Sequence, residues 1–170
     1  MDGFMQNTSN RKLVASRQYE KKNLLVVNSY ITIEGKQNGF IAKELIYLEF
    51  YKGYDRNTKV SMSMNSLELR ELYYGCKELY SKGSTNYKNH TNAALSDKTK
   101  SDLKGIKTLQ LGRFTSTVNS FMLNIQVGEE KRDILFEAYS FLSFMDSIKN
   151  IADETEQCLF KIQRQLAKNR

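Results

Sequence analysis

Proline is absent from this 170-residue chain, histidine occurs once and cysteine twice. Each scarcity removes a class of chemistry. The one histidine, His90, stands in a polar stretch between Asn89 and Thr91 with no base-orienting partner to argue for. A histidine-dependent triad or a zinc site therefore lacks its parts. Cys76 and Cys158 both fall on the apolar stripes of helices, which reads as two buried thiols and not as a disulfide or metal pair. The glycines are scattered singly, so no phosphate-cradling loop is formed. No apolar run approaches the roughly 18 residues of a membrane helix. The start, Met1-Asp2-Gly3, lacks the basic-then-apolar order of a secretory leader, so a cytoplasmic, intracellular protein is the expectation. Lys, Asn, Ile, Tyr and Phe are frequent where proline is missing. That is the bias of AT-rich coding sequence, and a phage, plasmid or other mobile element is the expected source.

What is present is a layout that occurs twice. In the first copy Ile46, Leu48 and Phe50 alternate with Tyr47, Glu49 and Tyr51, the period-two pattern of a half-buried strand. Gly53 opens a turn, and Val60, Met62 and Met64 then alternate with Lys59, Ser61 and Ser63. Asn65 and Ser66 suit a helix N-terminus, with Glu68 placed to reach back to Asn65 in a capping box. From Leu69 the period changes to three and four: Leu69, Leu72, Tyr73, Cys76, Leu79 and Tyr80 form one helical stripe. An offset of 72 residues carries that stripe, Leu69 onto Phe141, to Phe141, Phe144, Met145, Ile148, Ile151 and Ala152. The same offset takes Met62 to Ile134 and Met64 to Phe136. The preceding strand, Phe121 to Val127, needs an offset of 75, Gly53 onto Gly128, so the second turn is the shorter.

Further strands are expected upstream in each copy. Leu25 to Glu34 alternates and ends in Gly35-Lys36-Gln37-Asn38-Gly39, a hairpin signal. Phe40 to Lys52 is long for one strand, and a bend or break near Lys43 is expected. Lys107 to Phe114 is a strand and Thr115 to Ser120 a polar turn. The fold class is α+β, built from two pseudo-repeated antiparallel sheet-plus-helix units, strands then helix, with a long C-terminal helix. Residues 1–20 read as a disordered basic arm. Residues 21–170 read as one domain of two half-repeats, about 24–80 and 107–168, joined by a polar linker over about 81–106.

The C-terminal helix should run from about Phe141 to Lys168, roughly 40 Å long at about 1.5 Å per residue. Its apolar stripe continues past the repeat through Thr155, Cys158, Leu159, Ile162 and Leu166. Such a stripe needs another surface, either the other half of the chain or a second copy. The second copy is the favoured reading, giving a homo-oligomer.

The net charge is +7, with residues 1–23 contributing +3 and residues 81–107 contributing +4. Basic segments of this kind favour polyanions. The exposed strand faces are expected to carry Tyr30, Tyr47, Tyr51 and Tyr139, interleaved with Lys43, Lys59, Arg113, Lys131 and Arg132. Lys107 begins another strand. Asn28, Asn124 and Gln126 add hydrogen-bonding groups. Aromatic rings on a sheet stack on unpaired bases, and cations follow phosphates. The expected roles are stacking for Tyr30, Tyr47 and Tyr51 and phosphate contact for Lys43, Lys59, Lys107, Arg113, Lys131 and Arg132. Tyrosine is also common on strands for propensity alone.

Two strand-rich units with the helix last, over Ile46–Tyr80 and Phe121–Ala152, resemble the Whirly and positive-cofactor-4 group of single-stranded nucleic-acid-binding proteins. The resemblance covers about two-fifths of the chain. It implies two pseudo-symmetric halves, sequence-tolerant binding of single-stranded DNA in preference to RNA across the sheets, and often a homo-oligomer. The lysine-glycine-lysine-alanine strand segment of the plant Whirly proteins is not found here, so the resemblance transfers no individual residue.

No enzyme is expected, and no cofactor or metal. A metal-dependent nuclease would need convergent acids, for which Glu44, Glu49 and Glu137 are the available strand positions. The alternatives are a protein-interaction or scaffold module without nucleic-acid binding, and an RNA-binding protein. Salt-dependent retention on single-stranded DNA separates the scaffold from the binder.

Overall fold

The computed structural model describes residues 10–37, 39–92, 106–113 and 120–169. Four strands and a helix are followed by four strands and a helix. The first unit comprises β1 (Asn10–Glu20), β2 (Leu24–Lys36), β3 (Gly39–Tyr51), β4 (Val60–Met64) and α1 (Ser66–Lys82). The second comprises β5 (Lys88–Asn92), β6 (Ile106–Arg113), β7 (Ser120–Val127), β8 (Glu130–Glu137) and α2 (Ala138–Lys168). Each set of strands makes an antiparallel sheet in sequence order, β1-β2-β3-β4 in sheet A and β5-β6-β7-β8 in sheet B. The repeat read from apolar spacing is therefore a repeat of structure. Gly53 and Gly128, matched by the offset, both turn the chain between the last two strands of their sheets, at φ +53° and +58°. A left-handed turn residue costs an L side chain strain that glycine avoids.

Helix α1 starts where its sequence says it should. The Asn65 side chain accepts from the Glu68 N–H at 2.8 Å, and the Glu68 carboxylate accepts from the Asn65 N–H at 3.3 Å. Gly83, at φ +78°, ends the helix by donating its N–H to the Leu79 carbonyl.

One core joins both units. Leu25, Val27, Ile46, Leu48, Phe50 and Met62 of sheet A pack in the same cluster as Leu123, Ile125, Ile134 and Phe136 of sheet B and the stripes of both helices. Each such buried side chain contributes roughly 1.5–3 kcal/mol. The helices do not simply cover their own sheets. Helix α2 crosses β1, β2 and β3, while α1 packs on α2 and β6. Arg70 of α1 ties the helices together, pairing with Asp153 at 2.9 Å and Glu156 at 2.7 Å.

Four expectations change. The stripe beyond the repeat is covered within the chain: Thr155 is buried with its hydroxyl 2.5 Å from that of Ser29, and Ile162 packs with Ile31 and Ala42 of sheet A. A second copy is not needed to bury it. The basic arm is a strand from Asn10 onward, paired with β2 over its whole length. The polar linker contains β5, in which His90 meets the Thr108 hydroxyl at 3.0 Å. Strand β3 runs unbroken through Lys43, because it pairs continuously with β2. The first nine residues of the arm, residues 93–105 of the linker and most of the turn read at Thr115 to Ser120 lie outside the described residues.

Candidate nucleic-acid interface

The register fixes which side chains share the outer face of sheet A. Asn28 lies opposite Tyr47, Tyr30 opposite Leu45 and Thr32 opposite Lys43. On the neighbouring edge, Arg11 faces Thr32, Leu13 faces Tyr30 and Ser16 faces Asn28. Tyr30, Tyr47 and Lys43 therefore stand together, as the alternation implied. The two rings meet edge to face with centroids 6.2 Å apart. The Arg11 guanidinium lies over both, 5.2 Å from the Tyr30 centroid and 5.6 Å from that of Tyr47. Beside them Ser16 donates its hydroxyl to Asn28 Oδ1 at 2.6 Å. Both rings are half-buried, and Arg11, Lys43 and Leu13 are exposed.

The other candidates fall elsewhere. Tyr51 shares the outer face but is 4% exposed, packed with Leu24 and Val26; its hydroxyl donates to Glu49 at 2.8 Å and Arg56 covers its ring. Burial and the neighbouring Glu49 push that hydroxyl above the usual phenol range. Tyr51 is not free to stack on a base. Lys107 is fully buried, its Nζ 2.5 Å from the carbonyl oxygen of Ser61. Arg132 is 6% exposed; it donates through Nε to the Thr58 carbonyl at 3.0 Å and through Nη1 to Glu130 at 2.7 Å. The expected phosphate contacts of Lys107 and Arg132 are thus replaced by a structural role. Ser61 belongs to β4, an edge strand whose outward carbonyls lack a neighbouring strand, and Thr58 lies just before it. Two buried cations of sheet B cap these carbonyls and seal that edge.

Lys59 is exposed at the start of β4, and Lys131 is exposed on the outer face of sheet B. Arg113 is exposed at the far end of β6, over the Phe121 ring at 5.6 Å. Tyr139 is 88% exposed, but on the first turn of α2 and not on a strand. Asn124 is buried at 4%, and Gln126 donates to the Gly128 carbonyl. Of the candidate cations and rings, only Tyr30, Tyr47 and Lys43 come together. Arg11 completes the group.

The repeat allows a comparison of the two outer faces. Offset by 75, the Asn28–Tyr47 pair of sheet A corresponds to the Gly112–Met122 pair of sheet B. Around it stand Gln110, Asn124 and Gln126, and no tyrosine or phenylalanine among the described residues of that face. The aromatic surface belongs to sheet A alone.

Glu44, Glu49 and Glu137 do not converge. Glu44, on the inner face of β3, accepts from the Ser66 N–H and hydroxyl at 2.8 and 2.7 Å, while Glu49 points to the outer face. Among the described residues no group of three or more histidine, cysteine or acidic side chains is placed to hold a metal ion. Burial pushes the Cys76 thiol well above its ordinary range, which leaves it unreactive at neutral pH.

No family model and no curated protein matches the chain. Solved structures do match. WHY1 from Arabidopsis thaliana is 17% identical, with 90% of this chain and 92% of that chain aligned at a TM-score of 0.55. WHY3 from the same plant is 15% identical, over 92% and 97% of the two chains, at a TM-score of 0.57. The plant transcriptional regulator PBF-2 is 14% identical, over 89% and 96%, at 0.57. These likenesses are of fold: two sheet-plus-helix halves in the Whirly arrangement, matched over nearly the whole of each chain.

Proposed function

We propose that this protein binds single-stranded DNA without strict sequence choice, on the outer face of sheet A, and acts as a binding protein and not as a catalyst. The observation that carries the reading is the group formed by Arg11, Tyr30, Tyr47 and Lys43. Two tyrosine rings side by side offer π-faces to successive bases, and two cations flank them for phosphates. A base entering the site takes the ring face that Arg11 covers, and the guanidinium turns to the backbone. The Whirly-like fold supports the reading, since one solved relative of that fold is described as a transcriptional regulator. Lys59, Lys131 and Arg113 lie outside the group, and their part is to extend the electrostatic footprint.

The test is a titration of the protein with labelled oligo-dT over a range of salt, beside duplex DNA and RNA of matching length. The expected result is tight binding to the single strand at low salt and a linear fall of log affinity with log salt. Each neutralised phosphate contributes a slope of about 0.7 for a single strand. Arg11→Gln and Lys43→Gln should each flatten the slope by about that amount. Undetectable binding at low salt, or equal affinity for duplex and single strand, overturns the proposal. Tighter binding to RNA redirects it to the other nucleic acid.

We propose in addition that copies of the chain assemble at the far end of α2. There Phe40, Ile41, Ala42, Gln163, Leu166 and Ala167 line an apolar opening, and Phe40 is 57% exposed. Light scattering should give a mass of several chains for the wild type and a smaller one for Phe40→Asp. A monomer at high micromolar concentration defeats the idea.

A further inference from the structure

We infer that Asn28 sets a base preference at this site, favouring thymine over adenine; the inference rests on the single-stranded DNA reading above. Asn28 lies directly across from Tyr47 and two residues from Tyr30 on the same face. A base stacked on either ring brings its edge to this carboxamide. A free carboxamide pairs best with adenine, because its oxygen accepts from N6 while its NH2 donates to N7. Here the oxygen is engaged. Ser16 Oγ donates to Asn28 Oδ1 at 2.6 Å, which turns that oxygen toward β1 and the NH2 away from it. What remains to offer a base is the donor half alone. Thymine presents two carbonyl acceptors, O2 and O4. Adenine presents an amino group that needs the acceptor Asn28 has given to Ser16.

The pair is a matter of placement as much as of residue type. At the corresponding place in sheet B stands Gly112, which carries no side-chain donor. The preference therefore belongs to the aromatic face. Ser16 is an exposed residue of the edge strand with no other printed contact to the core, so removing its hydroxyl leaves the platform standing.

The experiment compares oligo-dT and oligo-dA of one length at one low salt concentration, for wild type, Asn28→Ala and Ser16→Ala, with circular dichroism to verify the fold. Wild type should favour dT by roughly tenfold. Asn28→Ala should lower dT affinity and shrink the ratio toward the difference that adenine self-stacking alone imposes. Ser16→Ala frees the oxygen and should raise dA affinity several-fold while dT affinity holds. A dT-to-dA ratio that is the same in all three proteins overturns the assignment of Asn28 but leaves single-strand binding intact. No binding of either oligonucleotide by wild type overturns the underlying reading, and the preference with it.

Discussion

The Nζ of Lys107 donates to the main-chain carbonyl of Ser61 at 2.5 Å, fastening a strand of sheet B to the edge of sheet A. A buried carbonyl stripped of its donor costs about 1–3 kcal/mol. Lys107→Met, which keeps the length and loses the charge, should lower the unfolding free energy by that amount in urea titrations. Oligonucleotide affinity and its salt slope should stay as in wild type under folding conditions. A flatter slope with unchanged stability would return Lys107 to the nucleic-acid surface.

Removing a stacking ring has a different signature. Tyr30→Ala and Tyr47→Ala should each weaken oligo-dT binding by about 1–3 kcal/mol, or roughly 5- to 150-fold. Their rings touch, so the double variant should lose less than the sum. Tyr51→Phe removes only a hydroxyl held by Glu49, and its affinity should stay within about twofold of wild type. Fluorescence anisotropy with one oligonucleotide ranks all four proteins.

Gly75 is small because another chain segment crosses α1 at that point. A Cβ built there would lie 2.7 Å from the Tyr87 Cβ and 2.8 Å from its Cγ. In an isolated helix Gly75→Ala would be stabilising by roughly 0.5–1 kcal/mol. Here overpacking should reverse the sign, with a loss of about 1–3 kcal/mol read from the thermal or urea midpoint. A midpoint that rises would mean that Tyr87 can move aside without cost.

The pairing of Arg70 with Glu156 makes stability depend on pH. The hydrogen bond from Arg70 holds the Glu156 carboxyl below the usual carboxylate range. A carboxyl depressed by folding stabilises the native state above its unfolded pKa, about 4.3, and loses that contribution as pH falls through the lower folded value. Wild type should lose more stability than Glu156→Gln as pH is lowered from about 5 toward 3. Parallel urea midpoints for the two proteins across that window would show that the ion pair is fully screened.

Much of this was legible in the chain. The period-two runs of β3, β4, β7 and β8 and the stripes of both helices came from spacing alone, because each element buries one face. Lys107 and Arg132 carried their own warning: Lys107 shares parity with Leu109 and Leu111, and Arg132 with Ile134 and Phe136. Charge outweighed position in the reading, whereas position decided burial. Arg11 was missed for a physical reason. The register of β1 shifts between Leu13 and Ala15, so its apolar residues lose their alternation and the strand resembles a polar arm. Strand β5, Lys-Asn-His-Thr-Asn, has no apolar residue at all and is a strand only because β6 pairs with it. The surface that receives the end of α2 was likewise out of reach, since spacing reports that a stripe is buried and not against what.

The contact between Ser29 and Thr155 spans 126 residues of sequence. At about 5–20 residues per second, a ribosome takes roughly 6–25 seconds to travel from one to the other. Through that interval β2 and β3 have emerged while the helix that roofs them has not been made. The inner face of the first sheet is therefore a nascent-chain hazard, bare and apolar, and final closure waits for release of the finished polypeptide. A nonsense mutation near codon 150 would leave that face without its cover for good, and its product is expected in inclusion bodies or bound to chaperones.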